Sequence, residues 1–123
     1  MTIQNRLDLF VSTSMIQPEE AQVIQSICRI YETEFGYDFS EEAAERFITH
    51  FVGMYLRERN HQTIEIIPEF VMQQLITDEC FHKANRLLRR MVEEIHPPVE
   101  EEGYFLLHLI HYLGQQNGEI REC

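Results

Sequence analysis

The feature that most constrains the fold is the spacing of apolar residues from Pro18 onward. They recur three and four residues apart, and no segment sustains the apolar–polar alternation of a strand. Such spacing gathers apolar side chains on one side of an α-helix, so the sequence predicts an all-α fold. Helix-ending residues, among them Gly36, the pair Pro97 and Pro98, and Gly114, divide the pattern into separate helices.

Capping chemistry predicts where the intermediate helices begin. Ser40 is suited to cap a helix that frays near Asn60, and Pro68 is suited to open a short helix after it. Either Thr77 or Asp78 can cap the next helix, because both side chains accept hydrogen bonds from backbone N–H groups. The sequence thus predicts a succession of short, closely connected helices.

The whole chain, 1–123, is predicted to be one domain, a single bundle of about five main helices. Glutamates at 100–102 favour the start of the last helix, because acidic side chains are stabilised at a helix N-terminus. Segments 1–17 and 115–123 are expected to be less ordered, although 3–11 has the spacing of a small amphipathic helix.

Charge and cysteine content exclude several classes of function. Ten Lys and Arg against 21 Asp and Glu give a net charge of −11, which repels nucleic acid and anionic membrane surfaces. No apolar run approaches the roughly 20 residues that span a bilayer. Cys28, Cys80 and Cys123 are odd in number and widely spaced, so free thiols in a reducing compartment are expected. The sequence predicts a soluble, cytoplasmic protein.

Two histidines, His50 and His108, interrupt the apolar sides of predicted helices. Arg46 and Arg57 lie four before and seven after His50, a spacing that places both guanidinium groups on its side of the helix. His108 lies three before His111 in the longest apolar run of the chain. Both histidines are therefore expected at the boundary between core and solvent.

A neutral imidazole at such a boundary is a competent nucleophile near neutral pH and can form a phosphoryl adduct. The added phosphate carries close to two negative charges, which can disrupt helix packing or bind a nearby arginine. Each histidine is thus a candidate switch. The competing interpretation is that both are ordinary packing residues at the edge of the core.

The stretches "THFVGMYLRER" and "EEGYFLLHL" together resemble the phosphotransferase-system regulation domain, a helical module of bacterial sugar-responsive regulators. The first resembles a motif of His followed seven positions later by Arg, filled by His50 and Arg57. The second resembles Glu-x-Gly-aromatic-x-x-x-His, filled by Glu101, Gly103, Tyr104 and His108. The segment that leads into the first motif is also similar to the usual opening of the family.

The resemblance implies a five-helix bundle in a symmetric dimer, with His50 and His108 phosphorylated by the phosphocarrier protein or a sugar permease component. It also implies a phosphate-stabilising role for Arg57. Neither enzymatic activity nor a cofactor is expected. The chain carries one such module and no basic nucleic-acid-binding segment, so its output is expected to pass through a separate regulator protein.

Two other functions compete with this interpretation. The chain could be a structural dimerisation or partner-binding module that is never phosphorylated. A metal-binding helical bundle is also conceivable, because Glu-x-x-His occurs three times, at Glu58 with His61, Glu79 with His82, and Glu93 with His96. We nevertheless predict no metal ligands. Within the last helix, Tyr104, Phe105 and Leu107 are expected in the core and His111 in solvent.

Overall fold

The computed structural model describes residues 2–39 and 42–116, which form six α-helices and no strand. The helices are α1 (Ile3–Ser12), α2 (Pro18–Phe35), α3 (Glu45–Arg59), α4 (Glu69–Ile76), α5 (Phe81–Ile95) and α6 (Val99–Gln116). The all-α prediction is confirmed: α2 to α6 are the main helices expected, and the small amphipathic segment forms α1. None of these helices has the length and apolar character needed to cross a membrane.

Local chemistry explains both ends of α2. Pro18 is its first residue, and the Glu20 carboxylate accepts a hydrogen bond of 2.7 Å from the backbone N–H of Gln17. Gly36 ends the helix with a φ of 77°, the left-handed conformation that a residue without a Cβ atom adopts readily. Both predicted ends are confirmed.

Other helix starts differ from the sequence prediction. Ser40 lies outside the described residues, and α3 begins at Glu45 after a 3₁₀ turn over Glu42–Ala44. The N-cap of α5 is Cys80, not Thr77 or Asp78. Asp78 instead accepts a hydrogen bond of 2.8 Å from the Cys80 N–H, so its carboxylate organises the turn that precedes the helix.

The chain divides into two compact units, Met1–Gln62 and Thr63–Cys123. The first contains α1 to α3, and its core includes an aromatic cluster in which the Tyr31 and Phe39 ring centroids lie 4.9 Å apart and those of Phe47 and Phe51 5.7 Å apart. Arg59, the last residue of α3, donates to the backbone oxygen of Met15 at 2.8 Å and forms an ion pair of 2.7 Å with Glu20. These contacts fasten α3 to the corner between α1 and α2.

The second unit contains α4, α5 and α6, with α5 packed along α6 and α4 against the same helix. Its fully buried side chains include Leu87, Met91, Phe105, Leu109 and Tyr112. His96 closes α5 in a left-handed conformation directly before Pro97, as the proline pair predicted. Whether the whole chain acts as one domain stays a prediction.

The expectation of three free thiols is wrong for Cys80, which is disulfide-bonded in the structure. Cys28 is free, as expected, and Cys123 lies outside the described residues.

Candidate functional site

His50 lies on α3 beside the buried side of the helix. Phe47, Ile48 and Phe51 are fully buried, whereas His50 is half-buried and its Nε2 atom is shielded from solvent. The position follows from the helix period, since three residues after Phe47 the chain has turned only partly away from the core. The expectation of a histidine at the boundary of core and solvent is met.

Gly53 creates space next to this histidine, and the side chain of Arg57 occupies it. A Cβ atom at Gly53 would lie 3.2 Å from the Arg57 Nη1 atom, so the guanidinium folds back over the glycine towards the start of the helix. Gly53 is three residues after His50, an axial rise of about 4.5 Å. The positive charge of Arg57 is thus brought within about one helical turn of the imidazole.

Arg46 lies on the same side of α3, four residues before His50, and its side chain is exposed. Arg57, by contrast, is half-buried and held by the surface of its own helix. Of the two arginines predicted to clamp an anion, Arg57 is therefore the one packed against its own helix.

His108 lies on a half-exposed side of α6, and most of the remaining circumference of this helix is buried. Its half-exposed neighbours are Tyr104, Leu107 and His111, while Phe105 and Leu109 face the core. Phe105 was placed correctly from the sequence. Tyr104 and Leu107 were expected in the core and His111 in solvent, but all three lie at the boundary, because the buried sector of α6 is displaced around the helix from the one predicted.

The motif residues that precede His108 fix the start of α6 to the chain before α4. A Cβ atom at Gly103 would lie 2.5 Å from the Cγ2 atom of Ile67, so only glycine allows this approach. The Tyr104 hydroxyl donates a hydrogen bond of 2.9 Å to the backbone oxygen of Glu65. Glu101 is buried, with 3% of its surface exposed. These residues position the helix that carries His108, and none of them needs to contact a phosphate.

Metal-ligand geometry does not occur in the described part of the chain, where no three His, Cys, Asp or Glu residues lie close enough to hold an ion. The members of the three Glu-x-x-His pairs are all exposed: Glu58, His61, Glu79, His82, Glu93 and His96.

Two groups in the first unit have raised pKa values. Burial of the Cys28 thiol raises its pKa to about 12, so this cysteine stays protonated and unreactive near neutral pH. Burial, reinforced by the carboxylates of Glu20 and Glu58, raises the pKa of Tyr55 to about 12. Neither group is poised for catalysis.

A comparison with protein families settles what kind of module this is. The model of the PRD domain matches residues 11–112, which include both histidines and every motif residue named above. The chain belongs to the PRD domain family. Comparisons with curated proteins and with solved structures gave no significant match.

Membership confirms the resemblance drawn from the two histidine motifs. A PRD domain is a helical regulatory module related to the phosphotransferase system, and such domains interact with components of that system or with regulators. The all-α fold of this chain is the one that the family implies.

Two features of the site were missed in the sequence. Gly53 was not singled out, although a glycine inside an amphipathic helix is unfavourable by about 1 kcal/mol relative to alanine and so signals a local requirement. The contact between Gly103 and Ile67 was missed because it joins residues far apart in the chain, for which a single sequence carries no signal.

Proposed function

We propose that this PRD domain accepts phosphoryl groups on His50 and His108 and thereby changes its dimerisation or its binding of a partner protein. The observation that carries the proposal is the position of both imidazoles at the boundary between core and solvent, within a chain that the PRD family model matches. A side chain at this boundary can be reached by a donor and can also alter packing once modified.

At His50 the surroundings suit a phosphate. The Arg57 guanidinium, folded over Gly53, offers planar N–H donors that bind phosphate oxygens in pairs. Nε2 of His50 is buried, so acceptance at that nitrogen requires the ring to rotate or the helix surface to open. Phosphorylation at this atom would therefore be coupled to a local change of packing.

At His108 the same chemistry acts on α6, the helix that packs against both α4 and α5. A phosphoryl group there would place about two negative charges beside Leu107 and His111 on the half-exposed side of the helix. The added charge would strengthen or weaken the binding of a protein surface that covers this side of the helix.

The transfer itself needs no catalytic group on this chain. The lone pair of an unprotonated imidazole nitrogen attacks the phosphorus of a phosphohistidine on the donor, a new N–P bond forms, and the donor N–P bond breaks with its electron pair returning to the donor imidazole. The second nitrogen of the acceptor ring keeps its proton. We infer that the chain is an acceptor and not an enzyme, and that it works in the cytoplasm without a cofactor.

The donor is proposed to be the phosphocarrier protein or a sugar permease component, and the output a homodimer or a complex with a separate regulator. Intact-mass spectrometry tests this after incubation with phosphoenolpyruvate, enzyme I and the phosphocarrier protein, with and without a permease component. We expect an acid-labile gain of one or two phosphoryl groups. His50→Ala and His108→Ala should each lose one of them.

Exposed histidines provide the matched control. His61→Ala and His82→Ala should leave the mass gain unchanged, since these side chains lie outside both motifs. Arg57→Ala should slow modification of His50 but not of His108. If the wild-type chain gains no mass, the fold is retained without phosphorylation and the histidines are packing residues.

A further inference from the structure

The positive charge of this acidic chain is concentrated on α5. Four of its ten Lys and Arg residues lie there, at Lys83, Arg86, Arg89 and Arg90, whereas the net charge of the chain is −11. Their spacing of three and four residues collects them on the solvent side of the helix. The two acidic residues of α5, Glu93 and Glu94, are confined to its last turn. About two successive turns therefore present four cationic side chains, of which Arg89 pairs with Glu102 and Arg90 with Glu94.

An apolar groove runs beside this surface, between α4 and α5, with the start of α6 as its floor. Its apolar lining includes Met72, Ile76, Phe81, Leu88 and Leu106. Arg89 lies at its edge, where it pairs with Glu102 at 2.6 Å, and Arg86 follows next around α5. The lining residues, which include Arg89, and the neighbouring Arg86 are together called the α4/α5 groove.

Helix α4 has five apolar side chains, of which two are exposed and two are half-buried. Leu75 is its single buried residue, while Phe70 is 70% and Ile76 45% exposed. Burying such side chains removes apolar surface from water, so a partner that covers α4 gains free energy from the hydrophobic effect. A matching partner would have apolar side chains to cover those of α4, and acidic side chains to meet the arginines of α5.

We propose that the α4/α5 groove binds an acidic amphipathic helix from a separate protein. Helix-in-groove recognition buries one apolar side of the incoming helix, and its carboxylates would meet the arginines on the rim. A second copy of this chain suits the groove less well, because a two-fold contact brings the same surface to itself and would oppose arginine to arginine. Nucleic acid is disfavoured by the charge of the whole chain.

The groove and the histidine lie on different sides of α6. Glu102, Gly103 and Leu106 face the groove, whereas His108 and His111 lie about half a turn away around the helix axis. A partner in the groove would therefore leave His108 accessible. The inference goes beyond the proposed function and does not depend on phosphorylation, so either can fail alone.

The test uses the isotope-labelled full chain and a synthetic peptide of about 15 residues, long enough to form a helix when bound. Glutamates occupy one side of the peptide, and leucines and a phenylalanine the other. We expect chemical-shift changes at Met72, Ile76, Asn85 and Leu88, and an affinity that falls with added salt. A peptide with glutamines in place of the glutamates should bind more weakly.

Charge-reversed variants separate a specific site from general attraction. Arg86→Glu with Arg89→Glu should weaken peptide binding about tenfold or more, because like charges then face each other. Arg6→Glu with Arg29→Glu changes the net charge equally but lies in the first unit, and should weaken it less than about twofold. Should the first pair disturb folding, Arg86→Gln with Arg89→Gln is the milder substitute.

Several results would overturn the proposal. Equal weakening by both pairs of reversals would mean non-specific attraction, and chemical-shift changes confined to residues outside the α4/α5 groove would mean another site. Tighter binding of an RNA oligonucleotide at the same residues, or self-association through them, would identify a different occupant. Absence of peptide binding to the wild-type chain would also exclude the groove as a site for an acidic helix.

Discussion

Each unit has one helix that carries both a histidine and a glycine: His50 and Gly53 on α3, and His108 and Gly103 on α6. The two glycines differ in what fills the space beside them. Next to Gly53 lies the end of the Arg57 side chain, which can move, whereas next to Gly103 lies the branched side chain of Ile67, which is 6% exposed. The first glycine makes room for a charge near His50. The second makes room for packing that fixes the helix of His108.

The difference teaches that the same residue type, on the two helices that carry the histidines, can meet different physical requirements. A flexible guanidinium can retreat from an added methyl group by rotation about its own bonds, at little cost. A buried β-branched residue cannot, because its χ1 rotamer and its neighbours are fixed. Substitution at the two glycines should therefore give effects of opposite sign.

The largest expected effect is that of Gly103→Ala. Its Cβ atom would meet Ile67 Cγ2 at 2.5 Å. We expect the free energy of unfolding to fall by about 1–3 kcal/mol, the usual cost of overpacking. Urea denaturation measures it, and Ile67→Ala in the same chain should recover part of the loss in a double-mutant cycle. An additive cycle would refute the proposed contact.

The buried thiol of Cys28, in the first unit, should make the free energy of unfolding depend on pH. The unfolded thiol ionises near its ordinary pKa of 9.0, whereas in the folded chain the pKa is about 12. Between these values the unfolded chain binds fewer protons, so the free energy of unfolding falls as pH rises, by at most about 1.4 kcal/mol per pH unit. Cys28→Ala should reduce this slope in urea denaturation at rising pH. Identical slopes for variant and wild type would contradict a buried thiol.

A smaller effect is expected for Tyr104→Phe, which removes the hydrogen bond to Glu65 without changing the shape of the side chain. The free energy of unfolding should fall by about 0.5–1.5 kcal/mol, the net contribution of one hydrogen bond. Tyr55→Phe, on a half-buried tyrosine of the first unit, provides a comparison for the loss of a hydroxyl. Hydrogen exchange should be faster in the first turn of α6 for Tyr104→Phe. Unchanged exchange there would weaken the anchoring role.

Gly53→Ala should have the smallest effect, and a stabilising one. Alanine is favoured over glycine inside a helix by about 1 kcal/mol, and the Arg57 guanidinium needs to shift by only a few tenths of an ångström. Thermal unfolding should occur at a slightly higher temperature than in wild type. Gly53→Val would displace the guanidinium further and slow phosphorylation of His50, and a destabilised Gly53→Ala chain would abolish the contrast with Gly103.

Sequence reasoning succeeded where a property depends on neighbouring residues. The all-α fold, the ends of α2 at Pro18 and Gly36, and the boundary positions of His50 and His108 all follow from helix periodicity and capping. The turn before α5 was less predictable, because Asp78 lies three residues before the helix and accepts its hydrogen bond from the N-cap residue Cys80 instead of capping the helix itself.

What could not be predicted depends on contacts between distant segments. The approach of Ile67 to Gly103, the bond from Tyr104 to Glu65 and the groove beside α4 each need the helices to be assembled. Likewise, the spacing of His50 and Arg57 placed them on one side of α3 but did not reveal that Gly53 allows the guanidinium to fold back. Helix periodicity predicts which residues share one side of a helix. The residues that this side contacts follow only from the packed structure.

Arg59 sets an order of events for a chain made on the ribosome. It reaches back 44 residues to Met15 and 39 residues to Glu20, so the corner between α1 and α2 is fastened only after the end of α3 has left the exit tunnel. Until then the nascent first half lacks its closing contact. Slow translation at the stage when residue 59 has just left the tunnel would give that contact time to form before α4 to α6 emerge, which makes the timing of synthesis part of how this domain reaches its fold.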